Sequence, residues 1–200
     1  MTATDDGFTL VEMLVALALM AVLSAYGLGA LRAYQQMNRL AAALDAQGEV
    51  DAVHRHMKQA LADARPVFEG DAGAEPKAVF QGAAHSLRFA TVLSDRIARG
   101  GLHVAEYALD PNTQEVTIAR QLFRPAANAS RSEPPLALIG GVDTLSFHYC
   151  GRPCRGAPNT WPDHWDDAES LPALIAVTLG FAPADPRRWP LLVVPVAAAE

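Results

Sequence analysis

The chain has 200 residues, a formal net charge of −6 and a pI near 5.5. An acidic balance with no basic patch excludes a nucleic-acid surface and a surface held to anionic lipid by charge. Once an N-terminal apolar run is set aside, about 170 residues remain, the size of one domain.

The chain opens with Gly7-Phe8-Thr9-Leu10-Val11-Glu12-Met13 and then carries no charge until Arg32. A run of about 19 apolar residues is long enough to cross a bilayer core as a helix, and Ala and Leu, its commonest residues, are strong helix formers. Met13 to Leu31 therefore reads as a membrane span. An acidic side chain such as Glu12 costs roughly 3 kcal/mol in hydrocarbon. The Leu, Val and Phe residues from Phe8 to Leu31, at roughly −0.3 to −0.6 kcal/mol each, outweigh it. A carboxylate retained at that cost marks a functional position. Cleavage after Gly7 would leave an ammonium group on Phe8, and Glu12 of a neighbouring copy, shifted along the helix axis, could neutralise it.

Gly7-Phe8-Thr9-Leu10-Val11-Glu12 resembles the class III signal of type IV pilins and type II secretion pseudopilins. The resemblance implies that a prepilin peptidase cuts between Gly7 and Phe8 on the cytoplasmic side and methylates Phe8. It also implies that Glu12 guides the subunit into a filament. The leader, residues 1–7, departs from the family in having no Lys or Arg, so the positive-inside rule does not set the orientation.

The helix is expected to continue past the membrane. From Leu31 to Arg65 there is no proline, and Met37, Leu40, Leu44, Val50, Val53, Met57 and Leu61 form one apolar stripe. Arg65-Pro66 ends it, because proline disfavours helix in the residue before it. His54 and His56 are two apart, so they point to different faces and cannot share one ion. Both are expected to be solvated.

Val67 to Ala84 is rich in Gly, Ala, Pro and acidic residues. It reads as a loop, most turn-like at Gly70 to Pro76, with one short strand at Ala78-Val79-Phe80. Strands are expected at Ser86 to Leu93, Leu102 to Leu109 and Glu115 to Phe123, the last two joined as a hairpin by the turn Asp110-Pro111-Asn112. Pro125 to Pro135 reads as a loop. Leu136 to Ile139, a Gly140-Gly141 break and Val142 to Tyr149 follow, then a long loop from Pro153 to Ser170. The last strands are expected at Leu174 to Phe181 and Leu191 to Val196. The final run, short and interrupted by Pro195, is no tail anchor and should cover a sheet edge. A helix followed only by strands is an α+β arrangement, the helix packed on an antiparallel sheet, and the pilin-like fold has the same order.

Gly141-Val142-Asp143-Thr144-Leu145-Ser146-Phe147-His148-Tyr149, then Trp161-Pro162-Asp163-His164-Trp165, then Leu171-Pro172 before a strand, are similar to the J family of type II secretion minor pseudopilins. This implies a tip complex with the I and K minor pseudopilins that primes a filament of major pseudopilin. It further implies an inner-membrane, single-pass subunit with a periplasmic C-terminal domain, its span set in inner-membrane lipid. The expected organisation is a leader at 1–7, a transmembrane half-helix at 8–31, an amphipathic half-helix at 32–65 and a β-rich domain at 66–200. A minor pilin of a type IV pilus is the alternative.

Cys150 and Cys154, the two cysteines of the chain, could close a small disulfide loop in an oxidising compartment or remain thiols; two ligands are too few for a zinc site. Asp163, His164, Asp166, Asp167 and Glu169 read as a solvated acidic loop, with no recognisable calcium-loop spacing. Trp161 and Trp165 either anchor a partner or clamp their loop onto the sheet. No catalytic motif such as G-x-S-x-G, H-E-x-x-H or a phosphate loop occurs, so no enzyme activity, metal or cofactor is expected. A signal-anchored periplasmic hydrolase would instead need a His–carboxylate pair set in a cleft.

Overall fold

The computed structural model describes residues 10–69, 77–93, 101–123, 134–167 and 169–196. Gly7, Phe8, the turn at Gly70 to Pro76 and most of the loop at Pro125 to Pro135 lie outside the described residues. One helix, α1 (Leu10–Ala62), is followed by eleven strands: β1 (Ala64–Arg65), β2 (Phe68–Glu69), β3 (Lys77–Ala78), β4 (Gln81–Gly82), β5 (Ser86–Leu93), β6 (Gly101–Asp110), β7 (Glu115–Leu122), β8 (Leu136–Ile139), β9 (Val142–Cys150), β10 (Leu174–Phe181) and β11 (Leu192–Pro195). The chain divides into two compact units, Met1–Asp45 and Ala46–Glu200.

In the first unit α1 is long and apolar enough to cross a membrane, and its described side chains from Leu10 to Ala42 are all exposed. Ser24 Oγ donates to Met20 O at 2.7 Å. Its hydroxyl is thereby satisfied inside the helix, which makes a polar residue tolerable in an apolar run.

In the second unit α1 turns one face inward: Val50, Val53, Met57, Ala60 and Leu61 are buried. The apolar stripe is thus packed only from Val50 onward. Met37, Leu40 and Leu44 remain 58–72% exposed, because no other described part of the chain reaches them. Thr91 Oγ1 of β5 donates to Ala60 O at 3.0 Å, pairing one of the carbonyls that a helix C-terminus leaves without a partner. The chain then drops through β1 onto β5.

The larger sheet runs β1-β5-β6-β7-β8, with β4 also on β5, and the smaller runs β11-β10-β9; all pairs are antiparallel. The β6–β7 hairpin closes as its turn residues dictate. Asn112 N donates to Asp110 Oδ1 at 2.8 Å and Gln114 N to Asp110 O at 2.9 Å, with Gln114 at φ +55°. Gly140-Gly141 carries the chain from the larger sheet to the smaller. Gly141 is at φ +68°, and a Cβ there would stand 2.7 Å from the Arg187 guanidinium, so glycine is required on both counts. The inward faces of both sheets and of α1 share one core, led by Phe89, Tyr107, Phe147, Tyr149 and Met57.

The strands beginning at Ser86, Leu136, Val142 and Leu174 start where their sequence pattern ends the preceding turn. The single strand expected at Ala78 to Phe80 is instead two two-residue strands, β3 and β4, on either side of Val79 and Phe80. The reason is burial on opposite faces: Val79 enters a small outer cluster with Ala90 and Val104, and Phe80 enters the main core. β11 lies at the edge of the smaller sheet, where Pro195 costs no ladder bond to a further strand.

Candidate functional site

Glu12 lies in the first turn of α1 as described, on the exposed helix surface. Gly7 and Phe8, the other residues of the proposed assembly chemistry, are outside the described residues.

The second candidate region is the loop between β9 and β10. Cys150 and Cys154 are joined in a disulfide with Cα atoms 5.4 Å apart. Trp161 lies over that ring: it is buried against Cys150 and Ala176, and its Nε1–H is shared between Arg155 O at 3.1 Å and Gly156 O at 3.3 Å. Trp161 is therefore packed into the fold and clamps the loop. Trp165 is half-buried. Its backbone N donates to Gly82 O at 3.0 Å and its Nε1 to Ser170 O at 2.9 Å, so the indole is fixed at both ends. Gly82 permits this approach, since a Cβ there would lie 2.6 Å from the Tyr149 ring. Tyr149, whose hydroxyl donates to Ala83 O at 3.0 Å, has its pKa raised by burial.

The acidic side chains of this loop are largely bonded to His164, Ser170 and backbone amides within it. His164 has Nδ1 2.9 Å from Asp163 Oδ1 and Nε2 3.3 Å from Asp166 Oδ2. Its pKa is raised, first by the Asp163 bond and then by the Asp166 charge, while the same bond lowers Asp163. Asp167 accepts from Glu169 N, Ser170 N and Ser170 Oγ, which holds its pKa below the usual range. Among the described residues no group of three acidic, His or Cys side chains is arranged to hold a metal ion.

His54 and His56 do not fit the solvated expectation; both are half-buried. His54 packs edge-on against Trp189 with centroids 5.1 Å apart, and His56 against Tyr107 at 6.2 Å. The cause is tertiary, since segments remote in sequence fold over each ring. His54 Nε2 is buried without a hydrogen-bond partner, and burial, then Lys58, lower its pKa.

Sequence reasoning missed the strap from Asp185 to Trp189. Arg187 makes a two-pronged pair with Asp185, with Nη2 2.7 Å from Oδ2, and donates to Gly140 O at 2.9 Å. It also lies 4.3 Å over the Phe181 ring and 3.8 Å from Glu49. Gln47 and the Arg188 backbone exchange two hydrogen bonds at 3.0 Å, and Trp189 Nε1 donates to Val177 O at 3.0 Å. The strap thus ties α1 to both sides of the sheet crossover. Two arginines and a tryptophan between prolines were the available signal, but Gly140, Glu49 and Gln47, which they meet, lie far away in sequence.

Residues 4–28 match the family described as the prokaryotic N-terminal methylation motif. The type II secretion system protein J of Xanthomonas campestris pv. campestris is 28% identical to the chain over 195 residues, covering 94% of this chain and 91% of that protein. The motif and this likeness together support a J-type pseudopilin. The likeness extends over the β-rich unit, well beyond the 25 residues of the motif, and it does not favour the minor type IV pilin alternative. The apolar α1 fits a membrane-anchored J-type pseudopilin, and such a protein works with pseudopilus partners.

Proposed function

We propose that this minor pseudopilin acts in the tip complex of a type II secretion pseudopilus, and that it is an assembly subunit with no catalytic role. The observation that carries the reading is the methylation motif leading directly into an exposed apolar helix, in a chain similar to protein J along nearly its whole length. In this reading prepilin peptidase removes residues 1–7 and methylates Phe8. Residues 8–31 sit in inner-membrane lipid, residues 32–65 continue the helix, and residues 66–200 form a periplasmic domain that meets the I and K minor pseudopilins above the major pseudopilin. Glu12 of the subunit pairs with the Phe8 ammonium of a neighbour, which removes two charges from hydrocarbon together.

The test is the intact mass and N-terminal fragment spectrum of membrane-extracted protein from cells with and without prepilin peptidase. A peptidase-dependent chain beginning at methylated Phe8 is expected, and Gly7→Leu should block its appearance. An uncut Met1 chain in both strains, or normal maturation of Gly7→Leu, would overturn the cleavage assignment. Glu12→Val should insert and mature but recruit poorly to the complex with I and K. Normal recruitment of that variant would overturn the charge-pair role.

A further inference from the structure

Trp165 separates two cavities, of about 550 Å³ and about 330 Å³, and lines both together with Asp167. The first volume lies within the range of ligand-binding clefts. It is lined by the apolar Phe68, Leu171 and Pro172 beside the indole, and by the charged Glu169 and Arg152. Phe68 is 45% exposed, which leaves its ring open to contact. The second cavity adds Asp166 and Glu106, with Arg88 opposite. Across the two, carboxylates outnumber guanidiniums two to one.

This surface is held rigid by the chain itself. The Trp165 backbone is pinned through its N–H to Gly82 O and the indole through Nε1 to Ser170 O. Gly151, where an added Cβ would lie 3.3 Å from the indole, and Arg152 are part of the ring closed by the Cys150–Cys154 disulfide. A preorganised wall reduces the ordering cost of binding. Addition of a partner strand is closed off here, since Gly82 O already accepts from Trp165. What remains is an aromatic face beside an acidic rim, the arrangement that attracts a cationic side chain through the ring quadrupole and through charge.

We propose that the Trp165 groove docks an extended segment of a partner protein that presents an arginine or lysine side chain to the indole, its flanking apolar residues resting on Phe68 and Leu171. This goes beyond the assembly reading above, because it concerns a surface far from Phe8 and Glu12 in sequence and needs neither cleavage nor filament growth.

The experiment uses the full chain in detergent micelles and four dye-labelled heptapeptides, Ser-Pro-Leu-X-Leu-Pro-Ser with X as Arg, Lys, Gln or Glu, read by fluorescence anisotropy. The Arg and Lys peptides should bind at least about ten-fold more tightly than the Gln and Glu peptides. Glu169→Lys and Trp165→Leu should each abolish that preference. Glu169 is exposed and its side chain holds no described hydrogen bond that folding depends on. Glu169→Lys therefore decides the matter even if Trp165→Leu fails to fold. Equal binding of all four peptides, binding of none, or a preference that survives Glu169→Lys would overturn the proposal. Concentration-dependent self-association abolished by Glu169→Lys would also overturn it, since the occupant would then be a second copy.

Discussion

Leu40 and Leu61 lie on the same helix and in the same apolar stripe, yet the structure exposes Leu40 to 58% and Leu61 not at all. Truncating each to alanine should separate two contributions that the sequence pattern joins. At Leu61 three carbons leave the core, worth about 0.8 kcal/mol each by transfer. The cavity left against Phe89 and the other core side chains should raise the loss to about 3 kcal/mol, inside the 2–5 kcal/mol span of buried leucine truncations. Alanine's better helix propensity returns only a few tenths of a kcal/mol. At Leu40 no described neighbour loses contact, so the change should stay within about 0.5 kcal/mol. The assay is urea unfolding of the full chain in micelles, followed by near-ultraviolet circular dichroism, which reports the packed aromatic core. At 2–4 °C per kcal/mol for a chain of this size, Leu61→Ala should lower Tm by roughly 6–12 °C. Equal losses at the two sites, or a loss below about 1 kcal/mol at Leu61, would refute the burial argument.

Further outcomes are expected. Cys154→Ser opens a ring closed over a sequence separation of four, and by loop-closure entropy should cost about 2 kcal/mol in urea unfolding; dithiothreitol on the parent chain should cost the same. Tyr107→Phe should leave stability unchanged or raise it, because the buried Tyr107 hydroxyl has no partner among the described residues. Tyr149→Phe should cost about 1 kcal/mol by leaving Ala83 O without its donor. The folded-state pKa of His54 lies below its ordinary value, so the unfolded chain binds the proton first. The contribution of neutral His54 is present above about pH 6.5 and is lost as pH falls toward the folded pKa. His164, raised by Asp163, acts in the opposite sense, its contribution present below that pH and lost as pH rises. His54→Leu should flatten the acid-side loss in a series of urea titrations across this window, and an unchanged profile would remove His54 as its source.

Much of the fold was legible because its determinants are local. Proline-free apolar periodicity marks α1, Asp110-Pro111-Asn112 marks the hairpin turn, and Gly140-Gly141 marks the break between β8 and β9. Where the expectation failed, a distant partner decided. Val79 and Phe80 looked like the middle of one strand, but burial on opposite faces splits it. His54 and His56 looked solvated, and Trp189 and Tyr107, from remote segments, cover them. The candidate site divides the same way. Glu12 stands out alone, as a carboxylate in an apolar run. Trp161 and Trp165 were visible as a pair, but only their packing separates a buried clamp from a half-exposed wall.

The sequence by itself determined the order of the main elements and the apolar N-terminal run, since each follows from composition and spacing within a few tens of residues, and the class of its N-terminal signal was legible by resemblance. Tertiary structure alone decided that the helix stripe is buried only from Val50 onward. It also decided that Arg187, through Asp185, Glu49 and Gly140, closes the strap across the crossover, and that Trp165 stands between two acid-rimmed cavities. The decisive contacts, Arg187 with Glu49 and Gly140 and Trp165 with Gly82, join segments remote in sequence, and such contacts leave no periodicity in the chain that forms them.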